Sequence, residues 1–133
     1  MKLTARSEYA LLALLYLSRK RTGGYVSVAT ISKAQDIPPK FLEQILLSLK
    51  RAGYLKSSKG SGGGHSLAKP SDKISIAEIV RLFDGPLAPT ESVSKYFYEP
   101  TPIKKEKKMV RLLGGIRDYI ADKLENTTIS DMS

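Results

Sequence analysis

The 133-residue sequence contains no cysteine and only one histidine, His65. The lack of cysteine excludes disulfides, thiolate nucleophiles and every zinc or iron–sulfur site with a cysteine ligand. A single histidine cannot build a histidine-rich metal site, and the acidic residues show no motif for acid–base catalysis. We therefore expect no enzyme activity and no bound cofactor, while a small-molecule effector stays open.

Long apolar runs are also missing. The longest, Tyr9 to Leu17, is about half of what a bilayer needs, and no small-residue cleavage site follows it. The chain length suits one compact domain with an appendage. We expect a cytoplasmic protein that does not contact membranes.

Acidic residues are scarce in the first half of the chain. The net charge is +9; residues 1–72 carry 12 basic and four acidic side chains, whereas residues 73–133 carry ten and nine. Neutralising phosphates releases counterions and steers association. The basic half therefore fits a nucleic-acid partner, although a basic surface that only maintains solubility would carry the same charge.

Apolar spacing predicts three helices in the first 52 residues. The first, from about Leu3 to Lys20, is apolar nearly all round and should be buried, with Gly23-Gly24 as its stop. The second, Val28 to Gln35, has Ser27 as its N-cap. The third runs from Pro39 to Ala52, and its core-facing stripe has the spacing i, i+3, i+4, i+7. This stripe consists of Leu42, Ile45, Leu46 and Leu49.

A hairpin follows these helices. Two short helices joined by a tight turn, the second with a polar outer face, form a helix-turn-helix pattern. Tyr54–Ser58 and Ser66–Lys69 are strand candidates around the glycine-rich turn Lys59–His65, which makes the hairpin a wing. A fourth helix, Ser75 to Phe83, completes a domain over residues 1–85. The predicted fold is mainly α with a small β-hairpin: a winged helix-turn-helix domain plus a long C-terminal dimerisation helix.

Outward positions on the third helix and the turn supply candidate contacts to double-stranded DNA. Gln44 can pair with adenine and Glu43 with cytosine in the major groove, and Lys59 can enter a narrow minor groove. The expected recognition-helix contacts are Lys40, Phe41, Glu43, Gln44, Ser48 and Arg51. The expected wing contacts are Lys59, Gly60, Ser61, Gly62, Gly63 and His65, and weaker phosphate candidates are Lys2, Thr4 and Ser27. A solvated helix face, a flexible linker and a packed histidine are the alternative interpretations.

The last part of the chain predicts a dimerisation helix. Residues 86–103 are proline-rich and loop-like, a candidate effector region, and residues 104–133 hold a helix from Lys104 to Glu125 and a tail. Apolar steps of four and three residues are typical of a seam between two helices. The expected interface is Met109, Leu112, Leu113, Ile116 and Ile120. The role of Gly114-Gly115 inside this helix is open. The alternative function is a protein-interaction module that uses this helix.

Several segments together resemble the Rrf-two (Rrf2) family of bacterial winged-helix regulators. They are Met1–Thr4, Ser7–Ala10, Ile37–Leu46, Leu49–Gly53, Lys59–Gly64, Asp84–Leu87 and Thr127–Met132. The resemblance implies a homodimeric repressor whose C-terminal helices cross and whose two winged units occupy a palindrome. It also implies base contacts from Phe41, Glu43 and Gln44, and minor-groove entry by Lys59.

Three departures from the family pattern concern specificity and sensing. Lys59 stands where arginine is frequent, and an ammonium lacks the planar fork of a guanidinium. Pro38 stands where serine is frequent and removes a hydroxyl. Many relatives hold an iron–sulfur cluster through three cysteines in the region matching Ser92 to Lys108, where this chain has no thiol. The resemblance therefore points to the clusterless branch, with a small ligand, a protein effector or no effector all open.

Overall fold

A computed structural model describes residues 1–20 and 24–133 of the chain. These residues form six α-helices and one antiparallel hairpin, which confirms the predicted fold class. The elements are α1 (Ala5–Ser18), α2 (Val28–Gln35), α3 (Pro39–Arg51), β1 (Leu55–Ser58), β2 (Gly64–Leu67), α4 (Ile76–Asp84), α5 (Lys107–Glu125) and α6 (Ile129–Met132). Single 3-10 turns occupy Ser71–Lys73, Glu91–Val93 and Pro102–Lys105. No helix among the described residues is both long enough and apolar enough to cross a bilayer.

Helix α1 begins at Ala5, two residues later than predicted, because Thr4 caps it. The Thr4 hydroxyl oxygen accepts a hydrogen bond from the Ser7 N–H at 3.4 Å. Asp84, the last residue of α4, accepts hydrogen bonds from the Thr4 hydroxyl at 2.5 Å, the Thr4 N–H at 3.2 Å and the Ser7 hydroxyl at 2.5 Å. This carboxylate ties the start of α1 to the end of α4. The predicted stop at Gly23 lies outside the described residues.

The core forms where α1 packs against α2, α3, α4 and α6. Helix α3 contributes the predicted stripe, all four members of which are at most 1% exposed. Ile31 of α2, Leu14 of α1 and Ile129 of α6 belong to the same cluster and are fully buried. Helix α6 therefore returns the end of the chain to the core of the N-terminal helices. The division at residues 85 and 103 stays a prediction.

The turn between α2 and α3 is shaped by backbone conformation. Ser27 caps α2 as predicted, accepting the Thr30 N–H at 3.1 Å. Asp36 then adopts a left-handed conformation with φ of 54°, which aspartate tolerates better than most residues. Pro39 occupies the first turn of α3 as predicted, where no N–H is needed. The turn therefore sets the direction of α3 relative to α2.

The hairpin pairs Leu55 with Leu67 and Ser58 with Gly64. Strand β2 begins at Gly64, earlier than the predicted Ser66, because His65 also pairs with Val26 through two backbone hydrogen bonds of 2.8 Å. This bridge brings the chain before α2 onto the wing. At Gly64 (φ 142°) a Cβ would lie 2.1 Å from the Val26 carbonyl oxygen, so only glycine fits.

Helix α4 begins with a capping box that also joins the hairpin to the core. The Ser75 hydroxyl accepts the Glu78 N–H at 3.2 Å, and the Glu78 carboxylate accepts the Ser75 N–H at 2.8 Å. The same carboxylate accepts the Tyr54 hydroxyl at 2.7 Å. Burial alone would raise the pKa of Glu78, but these hydrogen bonds and the nearby Lys69 ammonium hold it below its usual value. The network therefore favours the ionised carboxylate.

The predicted loop over residues 86–103 is packed in its first half and exposed from residue 95 to residue 100. Leu87, Ala88 and Ser92–Ser94 are buried, and the 3-10 turn at Pro102–Lys105 replaces the first turn of the predicted helix, so α5 begins at Lys107. The C-terminal part of α5 packs on α4: Ile120 and Leu124 contact the small cluster of Ala77, Val80 and Leu87. Helix α5 also contacts the 3-10 turns at Glu91–Val93 and Pro102–Lys105.

We predict that Ile129→Ala lowers the free energy of unfolding by about 2–5 kcal/mol, because a fully buried isoleucine leaves a cavity when truncated. Chemical denaturation of the purified variant measures the loss. Met132→Ala, three residues away and 51% exposed, is the control and should change stability by less than about 0.5 kcal/mol. Equal stability of both variants and the parent would contradict the placement of α6 in the core.

Candidate nucleic-acid interface

Helix α3 presents a polar face opposite its buried stripe. Lys40, Glu43, Gln44 and Arg51 are all exposed, as the sequence analysis expected. Burial of the stripe fixes the rotation of the helix about its axis, so these side chains share the outer face. Their chemistry matches the hydrogen-bonding groups on base edges and the charge of phosphates.

Two of the expected α3 residues are less available than the others. Phe41 is half-buried, and its ring packs edge-on against the Tyr9 ring with 5.5 Å between the ring centroids. Ser48 is also half-buried. Phe41 can thus offer only one edge to a thymine methyl or a sugar, while Glu43 and Gln44 are free to reach bases.

The wing begins directly after α3. Tyr54 N–H bonds the Leu49 carbonyl at 2.9 Å across Ala52-Gly53, so the hairpin starts one turn from the end of the helix. Its tip carries exposed Lys59, Gly60, Ser61 and Gly62, with Gly63 half-buried behind them. A Cβ on Gly63 would lie 2.4 Å from the Ser58 carbonyl oxygen. The glycines therefore form a defined tight turn, in which Lys59 is exposed.

The cations around α3 and the wing are unpaired. The ion pairs formed by the described residues are Arg81–Glu125 and Arg117–Asp118, both away from this surface. Lys40, Lys50, Arg51, Lys56 and Lys59 therefore keep their charges available for phosphates. Sequence analysis did not select Lys50 and Lys56. A lysine beside apolar positions does not by itself show whether its side chain lies on the surface that α3 shares with the hairpin, because that depends on how the two elements pack.

His65 differs from the other predicted wing residues. It lies inside β2, and its Nδ1 atom is shielded from solvent without a hydrogen-bond partner among the described residues. Burial lowers the pKa of His65, and the Lys50 ammonium lowers it further. A neutral, half-buried ring suits packing between the wing and Val26 better than an ionic contact with a phosphate.

The three weaker phosphate candidates differ in whether their polar groups are available for a phosphate. Lys2 is exposed. The hydroxyl of Thr4 donates to Asp84 and so serves the junction of α1 and α4, which makes it a poor phosphate ligand. Ser27 is exposed at the start of α2 beside Thr30, at 2.9 Å between the two hydroxyl oxygens. Sequence analysis missed Thr30. This residue became a candidate phosphate contact only when the structure showed that the first turn of α2 lies beside the wing tip.

An open groove of about 470 Å³ joins the start of α2 to the wing tip. It is lined by Lys20, Gly24, Tyr25, Val26, Ser27, Thr30, Gly62 and Gly63. Hydroxyls at a helix N-terminus and a nearby lysine are groups that bind phosphate oxygens. Tyr25, 39% exposed, is a further candidate contact that sequence analysis did not select.

The fold and this surface together define a winged helix-turn-helix DNA-binding protein. A profile of the Rrf2 family, described as an iron-dependent transcriptional regulator, matches residues 3–133. The chain belongs to the Rrf2 family.

Known relatives support the same class. The HTH-type transcriptional regulator CymR of Bacillus subtilis is 30% identical over 133 residues, covering all of this chain and 90% of CymR. Rv1287 of Mycobacterium tuberculosis is 32% identical over 136 residues, covering all of this chain and 81% of Rv1287. The solved structure of B. subtilis CymR, the global cysteine regulator, covers 99% of this chain and 95% of its own at a TM-score of 0.79 and 29% identity. The protein is thus a DNA-binding transcription regulator and not an enzyme.

The residues of this chain do not fit a cysteine-ligated iron site. No cysteine occurs in the sequence, and the hydroxyls of Ser92 and Ser94 are buried and hydrogen-bonded to Thr101 and to the Phe97 N–H. No cluster of three or more histidine, aspartate or glutamate side chains that could hold a metal occurs within residues 1–20 and 24–133. The donor set thus differs from what the family description implies.

We predict that Lys59→Ala weakens DNA binding and reduces the slope of log affinity against log salt by about one unit, as expected for one lost phosphate contact. Fluorescence anisotropy with a labelled duplex over a series of salt concentrations measures the slope. The control is Lys73→Ala, an equal loss of charge on the exposed turn beside α6. An unchanged slope for Lys59→Ala would remove the wing tip from the interface.

Proposed function

We propose that this protein is a repressor that binds a palindromic operator as a homodimer. Each protomer would place α3 in the major groove of one half-site and the wing tip over the adjacent minor groove, with half-sites about one helical turn apart. The observation that carries the proposal is the exposed face of Glu43 and Gln44 on a helix whose rotation the core fixes, beside the unpaired cation of Lys59.

Homodimer formation is supported by an exposed apolar stripe on α5. Met109, Leu112, Ile116 and Tyr119 are 40%, 57%, 41% and 73% exposed, and their spacing places them on one side of the helix. Ile120 and Leu113, the other residues of the expected interface, are half-buried, and Ile120 also packs on α4. Solvent-exposed apolar side chains in a row indicate a surface that another helix covers.

The charges of α5 favour an antiparallel arrangement of two copies. Lys107, Lys108 and Arg111 lie in its first turns, directly after Lys104 and Lys105, whereas its last turns carry three carboxylates and two cations, namely Asp118, Asp122, Glu125, Arg117 and Lys123. Two helices that cross in opposite directions keep the two basic ends apart. A parallel arrangement would juxtapose like charges.

Two features of the described residues support the proposal of repression. The described residues supply a DNA-binding unit and an apolar helix surface, and a dimer of this kind acts most simply by occupying DNA that another protein needs. We also propose that the regulator works without a cysteine-ligated cluster, because no thiol is present to hold one. A protein effector stays a prediction from the family resemblance.

Selection of bound fragments from a random DNA library tests the proposal. We expect an enriched inverted repeat, and Gln44→Ala should lose about 1–3 kcal/mol of discrimination at one base pair of each half-site. Asn126→Ala, which removes an exposed amide after α5, is the control and should select the parent sequence. Equal affinity of parent and Gln44→Ala for the selected site, or no salt-sensitive DNA binding at all, would contradict this reading of α3 and favour an interaction module.

A separate experiment tests the dimer. Leu112→Glu should shift the protein from dimer to monomer in sedimentation and reduce operator affinity at least tenfold, because a buried carboxylate without a partner opposes association. Leu82→Glu, on α4 and 43% exposed, is the matched control and should remain dimeric. A dimeric Leu112→Glu protein would exclude the α5 stripe as the seam.

A further inference from the structure

A small cavity lies between α4, the segment 94–97 and the second half of α5. Its volume is about 60 Å³, which is room for a few water-sized groups. Arg81, Lys95, Arg117, Asp118, Asp122 and Glu125 line it with Leu87, Ser94, Tyr96, Phe97 and Ala121. Neither the recognition helix nor the wing contributes to it.

The charges around this cavity balance. Three cations (Arg81, Lys95 and Arg117) face three carboxylates (Asp118, Asp122 and Glu125). A simple anion would meet three negative side chains, and a simple cation would meet three positive ones. A ligand that carries both charges a short distance apart matches the lining.

Four of the six charged groups are held in place by the fold. The Arg81 guanidinium donates to Glu125 at 2.6 Å and lies over the Tyr96 ring, 4.8 Å from its centroid. Arg117 donates to the Val93 carbonyl and to Asp118, both at 2.8 Å. These contacts fix the walls of the cavity before any ligand enters, which reduces the entropic cost of binding.

The other two charged groups are free. Among the described residues, Asp122 has no side-chain hydrogen bond or ion pair, and the Lys95 ammonium makes only a cation–π contact with Tyr96, at 5.4 Å from the ring centroid. They carry opposite charges on the wall of one cavity. Lys95 can bind a carboxylate and Asp122 an ammonium group.

We propose that this cavity is a binding site for a small zwitterion, an α-amino acid of about the size of glycine or alanine. The carboxylate would bind at Lys95 with support from Arg81, and the ammonium at Asp122. The segment 94–97 belongs to the linker that follows Asp84, the last residue of α4, which accepts hydrogen bonds from Thr4 and Ser7 at the start of α1. Earlier in the same linker, the Ala88 carbonyl oxygen lies 3.4 Å from the Met1 ammonium. The ligand would thus bind next to the connection between the DNA-binding helices and α5.

Isothermal titration calorimetry of the full chain tests the site without DNA. We expect saturable binding of glycine or L-alanine at millimolar concentrations or below. Lactate, which lacks the ammonium group, and alaninamide, which lacks the carboxylate, are matched probes and should bind at least tenfold more weakly. Absence of binding by both amino acids overturns the proposal, and so does lactate or alaninamide binding as tightly as L-alanine.

Two substitutions locate the site. Lys95→Ala and Asp122→Asn should each weaken L-alanine binding about tenfold, the effect of one lost charge-assisted hydrogen bond. Lys104→Ala is the control, because it removes a lysine that also lies over a tyrosine ring, 5.2 Å from the Tyr98 centroid, but that does not line the cavity. Thermal melting confirms that each variant is folded. Unchanged affinity in both Lys95→Ala and Asp122→Asn would show that the amino acid binds elsewhere.

Discussion

Burial of one face of α3 against α1 is the constraint on which the DNA-binding surface depends. Leu42, Ile45, Leu46 and Leu49 are removed from water almost completely, and together they hold the helix in one rotation about its axis. Glu43 and Gln44 face outward as a consequence. The same packing brings the hairpin next to α3, because Tyr54 bonds both the end of α3 and the Glu78 carboxylate of α4. The orientation of the candidate base-contacting side chains is therefore a result of the core.

A second set of contacts connects the core to the part of the chain that lies beyond it. Asp84, at the end of α4, accepts hydrogen bonds from the hydroxyls of Thr4 and Ser7. The linker that follows Asp84 packs against α5. Ile129 then brings the chain back into the first core. A change in the linker or in α5 can thus be transmitted to α1 through packed side chains and hydrogen bonds, which gives an effector at the linker a physical route to the DNA-binding helices.

Sequence reasoning succeeded where a local pattern and its physical cause coincide. The stripe of α3, the Ser27 cap and the glycine turn each follow from spacing or backbone geometry within a few residues, and the structure confirms all three. It was less accurate where a distant residue decides the outcome. Thr4 was a phosphate candidate from the sequence, but its hydroxyl donates a hydrogen bond to Asp84, 80 positions away. The sequence placed His65 in the glycine-rich turn, whereas the structure places it in β2, where it also pairs with Val26.

The sequence alone determined the class of protein. It contains no thiol that could hold an iron–sulfur cluster, and residues 1–72 carry an excess of positive charge. Its apolar spacing also predicts two helices and a hairpin in the order of a winged domain. Only the tertiary structure decided which side chains share a surface. Ile120 packs on α4, α6 joins the core, and Arg81, Lys95 and Asp122 come together around one cavity. The reason is that composition and periodicity act over a few residues, whereas such groupings depend on contacts between segments far apart in the chain.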